Sequence, residues 1–135
     1  MLASGLPEHV ADEEPLARFL TSDSQFNQRM AKPAAFMPGP MDGNTSVFRQ
    51  SPELVQALWD TADRELGNVR HVRAAALLTA ADVRQAGLEV IASEPPPRHA
   101  DITRWPEVAN DAEATKAQCK ELALVLVQVA TLCRR

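Results

Sequence analysis

The stretch AAALLTAADVRQAGLEVIA, residues 74–92, decides the fold class. Ala74–Leu78 on its own suits a short inner strand or a turn of helix about equally, because AAALL has no apolar period to separate them. Its neighbours are more definite. Thr79 is suited to cap a helix over residues 80–86, and Gly87 to end it in the left-handed region. Leu88–Ala92 is then β-branched and bounded by prolines. Taken as strand, helix and strand, this is a compact β-α-β unit, whose crossover would be right-handed if the strands are parallel.

Upstream, Thr45–Arg49 (TSVFR) follows a Gly-Asn turn and reads as a strand. A helix over residues 52–66 starts cleanly, with Ser51 as cap, Pro52 at its first position and Glu53 at the positive end of the dipole. Leu54, Val55, Leu58, Trp59, Ala62 and Leu66 form its apolar face, and Gly67 suits a left-handed terminator. Leu16, Phe19 and Leu20 recur at helical spacing behind Pro15, which predicts a short helix. Pro33, Pro38 and Pro40 make residues 22–44 a loop, anchored by Phe26, Phe36 and Met37. The first 14 residues hold Glu8, Asp12, Glu13 and Glu14 and read as an acidic, flexible arm. Residues 15–135 form the single domain.

Downstream, three prolines at 95–97 exclude a helix or a central strand and predict a rigid extended connector. Arg98, His99, Asp101, Thr103, Arg104 and Trp105 follow at once, the densest polar constellation in the chain. Pro106–Asp111 reads as a turn, and Asp111 caps a long C-terminal helix running to Arg134. Its apolar stripe, broadened by Leu124, Val125 and Val127, marks a core element or a packing surface for a second subunit. Val125, Val127 and Val129 also permit a strand over 122–132. The fold class is therefore α+β, one small domain with about three strands packed by helices.

A chain of 135 residues suits one domain without a disulfide staple. Its formal charge of −4 argues against a broad nucleic-acid surface. Cys119 and Cys133, placed on one helix, would lie roughly 21 Å apart and so stay reduced. With no signal-peptide pattern and no apolar run long enough to span a bilayer, a cytoplasmic protein without membrane contact is expected. His9, His71 and His99 lack metal-ligand spacing, so neither metal nor cofactor is expected. Residues 39–43 hold two glycines without the Lys-Ser/Thr ending of a phosphate loop. Arg70, His71 and Arg73 could touch nucleic acid, although such clusters are more often solvated faces.

KPAAFMP (32–38), TSVFR (45–49) and PPPRHADITRWP (95–106), followed by an Ala-rich helix, resemble a set of small bacterial proteins of unassigned function, found loosely in mobile-element or defence-type gene neighbourhoods. The resemblance implies no activity, only that the three polar segments belong together. On that basis Lys32, Arg49, Arg98 and Arg104, with Trp105, would gather into a ligand-binding cationic pocket suited to a phosphate, a carboxylate or an acidic peptide. Two functions follow. One is an accessory module that binds a protein partner or an anionic ligand and self-associates through its C-terminal helix. The other is a compact enzyme on a phosphate-containing or nucleotide substrate, with His99 as acid or base and Asp101 orienting its ring. The same residues also suit a structural clamp, with Arg98 on a helix carboxyl end, His99 on a loop carbonyl and Asp101 in an Asx turn.

Overall fold

A computed structural model of the chain describes residues 2–50 and 55–135. Among these residues the architecture is α+β, one antiparallel six-stranded sheet with three α-helices. The strands are β1 (Pro15–Leu20), β2 (Thr45–Arg49), β3 (Ala74–Thr79), β4 (Glu89–Ala92), β5 (His99–Thr103) and β6 (Thr131–Arg134). The helices are α1 (Val55–Leu66), α2 (Ala80–Gln85) and α3 (Ala112–Val129). Strand order across the sheet is β4-β5-β2-β1-β3-β6, with every neighbouring pair antiparallel.

Six strands replace the expected three because β1, β5 and β6 come from segments read otherwise. Pro15–Leu20 is a strand, not a helix. Leu16 and Leu20 face one apolar cluster while Ala17 and Phe19 face another. A strand covered on both sides has no polar alternation, and its apolar residues then mimic helical spacing. β1 pairs along its whole length with β3. Ala74, Ala75 and Ala76 of β3 have no exposure. Alanine is a poor strand former, but its small side chain lets layers approach from both faces, so packing overrides propensity. β3 and β4 are not neighbours, since β1, β2 and β5 lie between them.

The C-terminal helix stops at Val129, Ala130 is extended, and the chain pairs with β3 as β6. Cys133 therefore lies on a strand, and the helical spacing assumed for the cysteines does not apply; both are free. Asp111 accepts from the Ala114 N–H as the cap of α3. This helix buries Cys119, Ala123, Leu126 and Val127, and leaves Leu124, Val125 and Val129 exposed. α2 opens with a reciprocal capping box between Thr79 and Asp82, and Gly87 at φ 88° ends it. The expected cap and first turn of the helix before Gly67, residues 51–54, lie outside the described residues. Gly67 itself is not left-handed; a Cβ there would sit 2.4 Å from the Asp63 carbonyl oxygen, so close approach excludes a side chain.

One sheet face packs against α2, α3, the 22–44 loop and the N-terminal segment, through Leu16, Val47, Val90 and Ile102 with Val83, Leu126, Phe36 and Val10. Each fully buried large side chain contributes roughly 1.5–3 kcal/mol. The loop is anchored as expected, with Phe36 fully buried and Thr45 Oγ1 donating to its carbonyl at 2.7 Å. Arg18 adds a second tie where the β1–β2 pairing has ended. Its Nε donates to Ala35 O at 2.7 Å and its Nη1 to Ser46 O at 2.9 Å. The other face carries α1, with Leu58, Trp59 and Ala62 on Ala17, Phe19, Phe48 and Ala75. No helix among the described residues is long and apolar enough to cross a membrane.

The acidic N-terminal segment is docked, not loose. Val10 is buried, Ala80 N and Ala81 N donate to the Glu14 and Asp12 carbonyls, and the Asp12 carboxylate pairs with Arg84. Buried apolar contact and paired backbone groups together outweigh the charge repulsion that suggested an arm.

Candidate functional site

The strands divide the expected cationic pocket between two ends of the sheet. β5 runs from His99 to Thr103, so Arg98 and Arg104 bracket it and their backbones stand roughly 20 Å apart. Arg49, Arg98 and His99 meet at one end, where Arg49 N donates to Arg98 O at 2.8 Å and Arg98 Nη1 to Arg49 O at 3.3 Å. Arg104, at φ 67°, is exposed at the other end, and Trp105 donates Nε1–H to Ile102 O at 3.1 Å while packing on the core. Lys32 belongs to neither group; its Nζ donates to Asp23 O at 3.0 Å.

Arg49 has no exposure, which removes it from any ligand. Its Nε and Nη2 donate to the two Glu14 carboxylate oxygens at 2.8 and 2.9 Å, and Nη1 donates to Pro7 O at 2.7 Å. Burial alone would raise the Glu14 pKa, but the Arg49 hydrogen bonds, the Ala11 N–H and the Arg49 charge together bring it below its ordinary value. A bidentate carboxylate and the Pro7 and His9 carbonyls occupy four of the five N–H groups of this guanidinium. Glu94 works similarly nearby, accepting from Ser4 and from the Arg98 N–H. The cations at this end of the sheet fasten the N-terminal segment and the β4–β5 turn.

The turn itself corrects the reading of residues 95–97 as an extended connector. His99 N donates to Pro96 O, Ser93 N donates to His99 O, and β4 and β5 form an antiparallel pair on either side. His99 Nδ1 lies 2.6 Å from Ser93 Oγ and 3.1 Å from Ser93 O, and the ring sits edge-on to Phe48 at 5.4 Å. Ser93, rather than Asp101, thus orients the imidazole. Asp101 lies opposite Ser46 in the register, and its buried Oδ1 has no hydrogen-bond partner among the described residues. The imidazole is held between Ser93 and the Phe48 ring, the geometry of a clamp, and the Ser93 hydroxyl is the side-chain group bonded to it.

A different set of cations surrounds open space. His71, Arg73, Arg134 and Arg135, with Phe26, line a cavity of about 340 Å³. The β3–β6 pairing assembles it. Arg73 directly precedes β3 and donates its N–H to Leu20 O, Arg134 ends β6, and Arg135 N donates to Arg73 O at 3.0 Å. All four basic side chains belong to exposed residues. The Arg73 guanidinium lies 5.2 Å over the Phe26 ring and donates to Asp23 Oδ1 at 2.7 Å. The Arg135 guanidinium lies 5.4 Å over Trp59 of α1 and is held by both oxygens of Asp63, whose pKa it lowers. Among the described residues no carboxylate pairs with His71 or Arg134.

His71 and Arg73 read as a solvated face in the sequence because Arg134 and Arg135 are some sixty residues away and the helix reading runs through to Arg134. The available signal was the terminal Arg-Arg pair. Its meaning depends on β6 being a strand. Arginine forks over aromatic rings, joined by an imidazole and an unpaired guanidinium, suit an anion with several oxygen acceptors. No family model, no curated protein and no solved structure matches the chain.

Proposed function

We propose that this chain is a small binding module for an anionic ligand, acting through the His71–Arg73–Arg134–Arg135 cavity. The observation that carries the reading is the convergence of four basic side chains on one open cavity in a protein of net charge −4. Exposed cations gathered around one concavity attract anions. The Pro95–Pro106 segment serves as a clamp in this reading, and His99 is a structural residue. Two free cysteines favour a reducing compartment, so we place the module in the cytoplasm.

Calorimetric titration with inorganic pyrophosphate at low salt tests this. Wild-type protein should bind, Arg134→Ala should weaken binding about ten-fold or more, as expected for a charge-assisted hydrogen bond, and His99→Ala should leave it unchanged. Absence of wild-type binding, or loss on His99→Ala with Arg134→Ala silent, overturns the assignment and, in the second case, returns the site to the proline turn.

A further inference from the structure

We propose that the ligand of this cavity is a small phosphate monoester and that Asp23 occupies its place until it arrives; the inference rests on the anion-binding reading above. Arg73 and Arg135 each already hold a carboxylate, and the one on Arg73 stands in for an anionic oxygen of a ligand. The two acids differ in how they are held. Asp63 belongs to α1 and engages Arg135 with both oxygens, so it stays and fixes the direction of that guanidinium. Asp23 lies on the loop after β1, offers one oxygen, and its side chain is 89% exposed. An ion pair so exposed is worth at most about 1 kcal/mol, and a stronger anion displaces it.

The unpaired His71 and Arg134 favour a dianion over a monoanion. Three terminal oxygens of a phosphate monoester can meet Arg73, Arg134 and His71 together, whereas one carboxylate has only two oxygens to share. A volume of about 340 Å³ lies at the small end of ligand cavities and suits one small molecule rather than a polymer. Phe26 is buried beneath Arg73, so it supports the guanidinium and offers no free ring face for a base.

Titration of wild type, Asp23→Asn and Asp23→Ser with inorganic phosphate, adenosine monophosphate and succinate separates the claims. Both variants should bind the two phosphates roughly two- to five-fold more tightly than wild type, the range of an exposed ion pair, and succinate should bind more weakly than either phosphate throughout. Unchanged or weakened phosphate binding in both variants, with wild-type binding intact, overturns the role of Asp23 and leaves the anion site standing. Succinate binding as tightly as phosphate overturns the phosphate assignment. No binding of any anion by any of the three proteins overturns the underlying reading as well.

Discussion

The two ends of the sheet use the same residue type for opposite purposes. At the end formed by Arg49 and Arg98, a guanidinium is buried without exposure, matched by both oxygens of Glu14 and a carbonyl, and joined to the N-terminal segment. At the end formed by Arg73, Arg134 and Arg135, the three residues are exposed, Arg73 is held by one oxygen of Asp23, Arg135 by both oxygens of Asp63, and Arg134 has no carboxylate partner among the described residues. Charge alone does not distinguish a fastener from a receptor. Desolvation does, because a buried cation must be saturated by its own protein, whereas an exposed one can exchange partners.

The largest expected effect that sharpens this contrast is at Glu14. Glu14→Gln leaves Arg49 buried without its counter-charge and should cost about 3–5 kcal/mol, as for other broken buried pairs. Arg134→Ala, at the open end, should stay within about 0.5 kcal/mol. Urea denaturation of the two variants checks both, and equal small losses would erase the distinction between the ends.

Acid should act on the sealed end next. Glu14 and Glu94 both have pKa values below the ordinary 4.5; burial opposes this, while hydrogen bonds, from Arg49 and Ala11 for the first and from Ser4 and Arg98 for the second, outweigh it. A folded-state pKa below the unfolded value means stability fully present above 4.5 and lost as pH falls through the lowered folded values. Thermal melts from pH 6 downward should therefore show a decline that begins below about 4.5. Glu14→Gln should flatten that decline, and an unaltered acid limb in the variant would assign the loss to other groups.

The smallest effect belongs to the exposed Asp63–Arg135 pair. A double-mutant cycle with Asp63→Asn and Arg135→Gln should return a coupling of roughly 0.2–1 kcal/mol that shrinks in high salt. A coupling of several kcal/mol would make this end a fastener too.

Local signals were sufficient where one or two adjacent residues impose a geometry. TSVFR became β2, Thr79 and Gly87 bounded α2, Glu89–Ala92 became β4, and Asp111 opened α3. They failed where a partner strand was needed. Pro15–Leu20 has the same apolar spacing whether it winds as a helix or lies between two covered faces. His99–Thr103 looked like a polar site because only Ala100 and Ile102 turn toward the core, yet that alternation is what a strand with one covered face requires. Residues 129–131 contain no glycine or proline to announce that α3 ends.

By itself, the sequence determined the α+β class, the anchored loop, and the caps of α2 and α3, because turn and cap chemistry acts over three or four residues. Tertiary structure alone decided that Arg49 closes on Glu14 and that Arg73 meets Arg134 and Arg135. Those pairs are 35 and some 60 residues apart in the chain, and only strand register and desolvation select which distant charges end up facing one another.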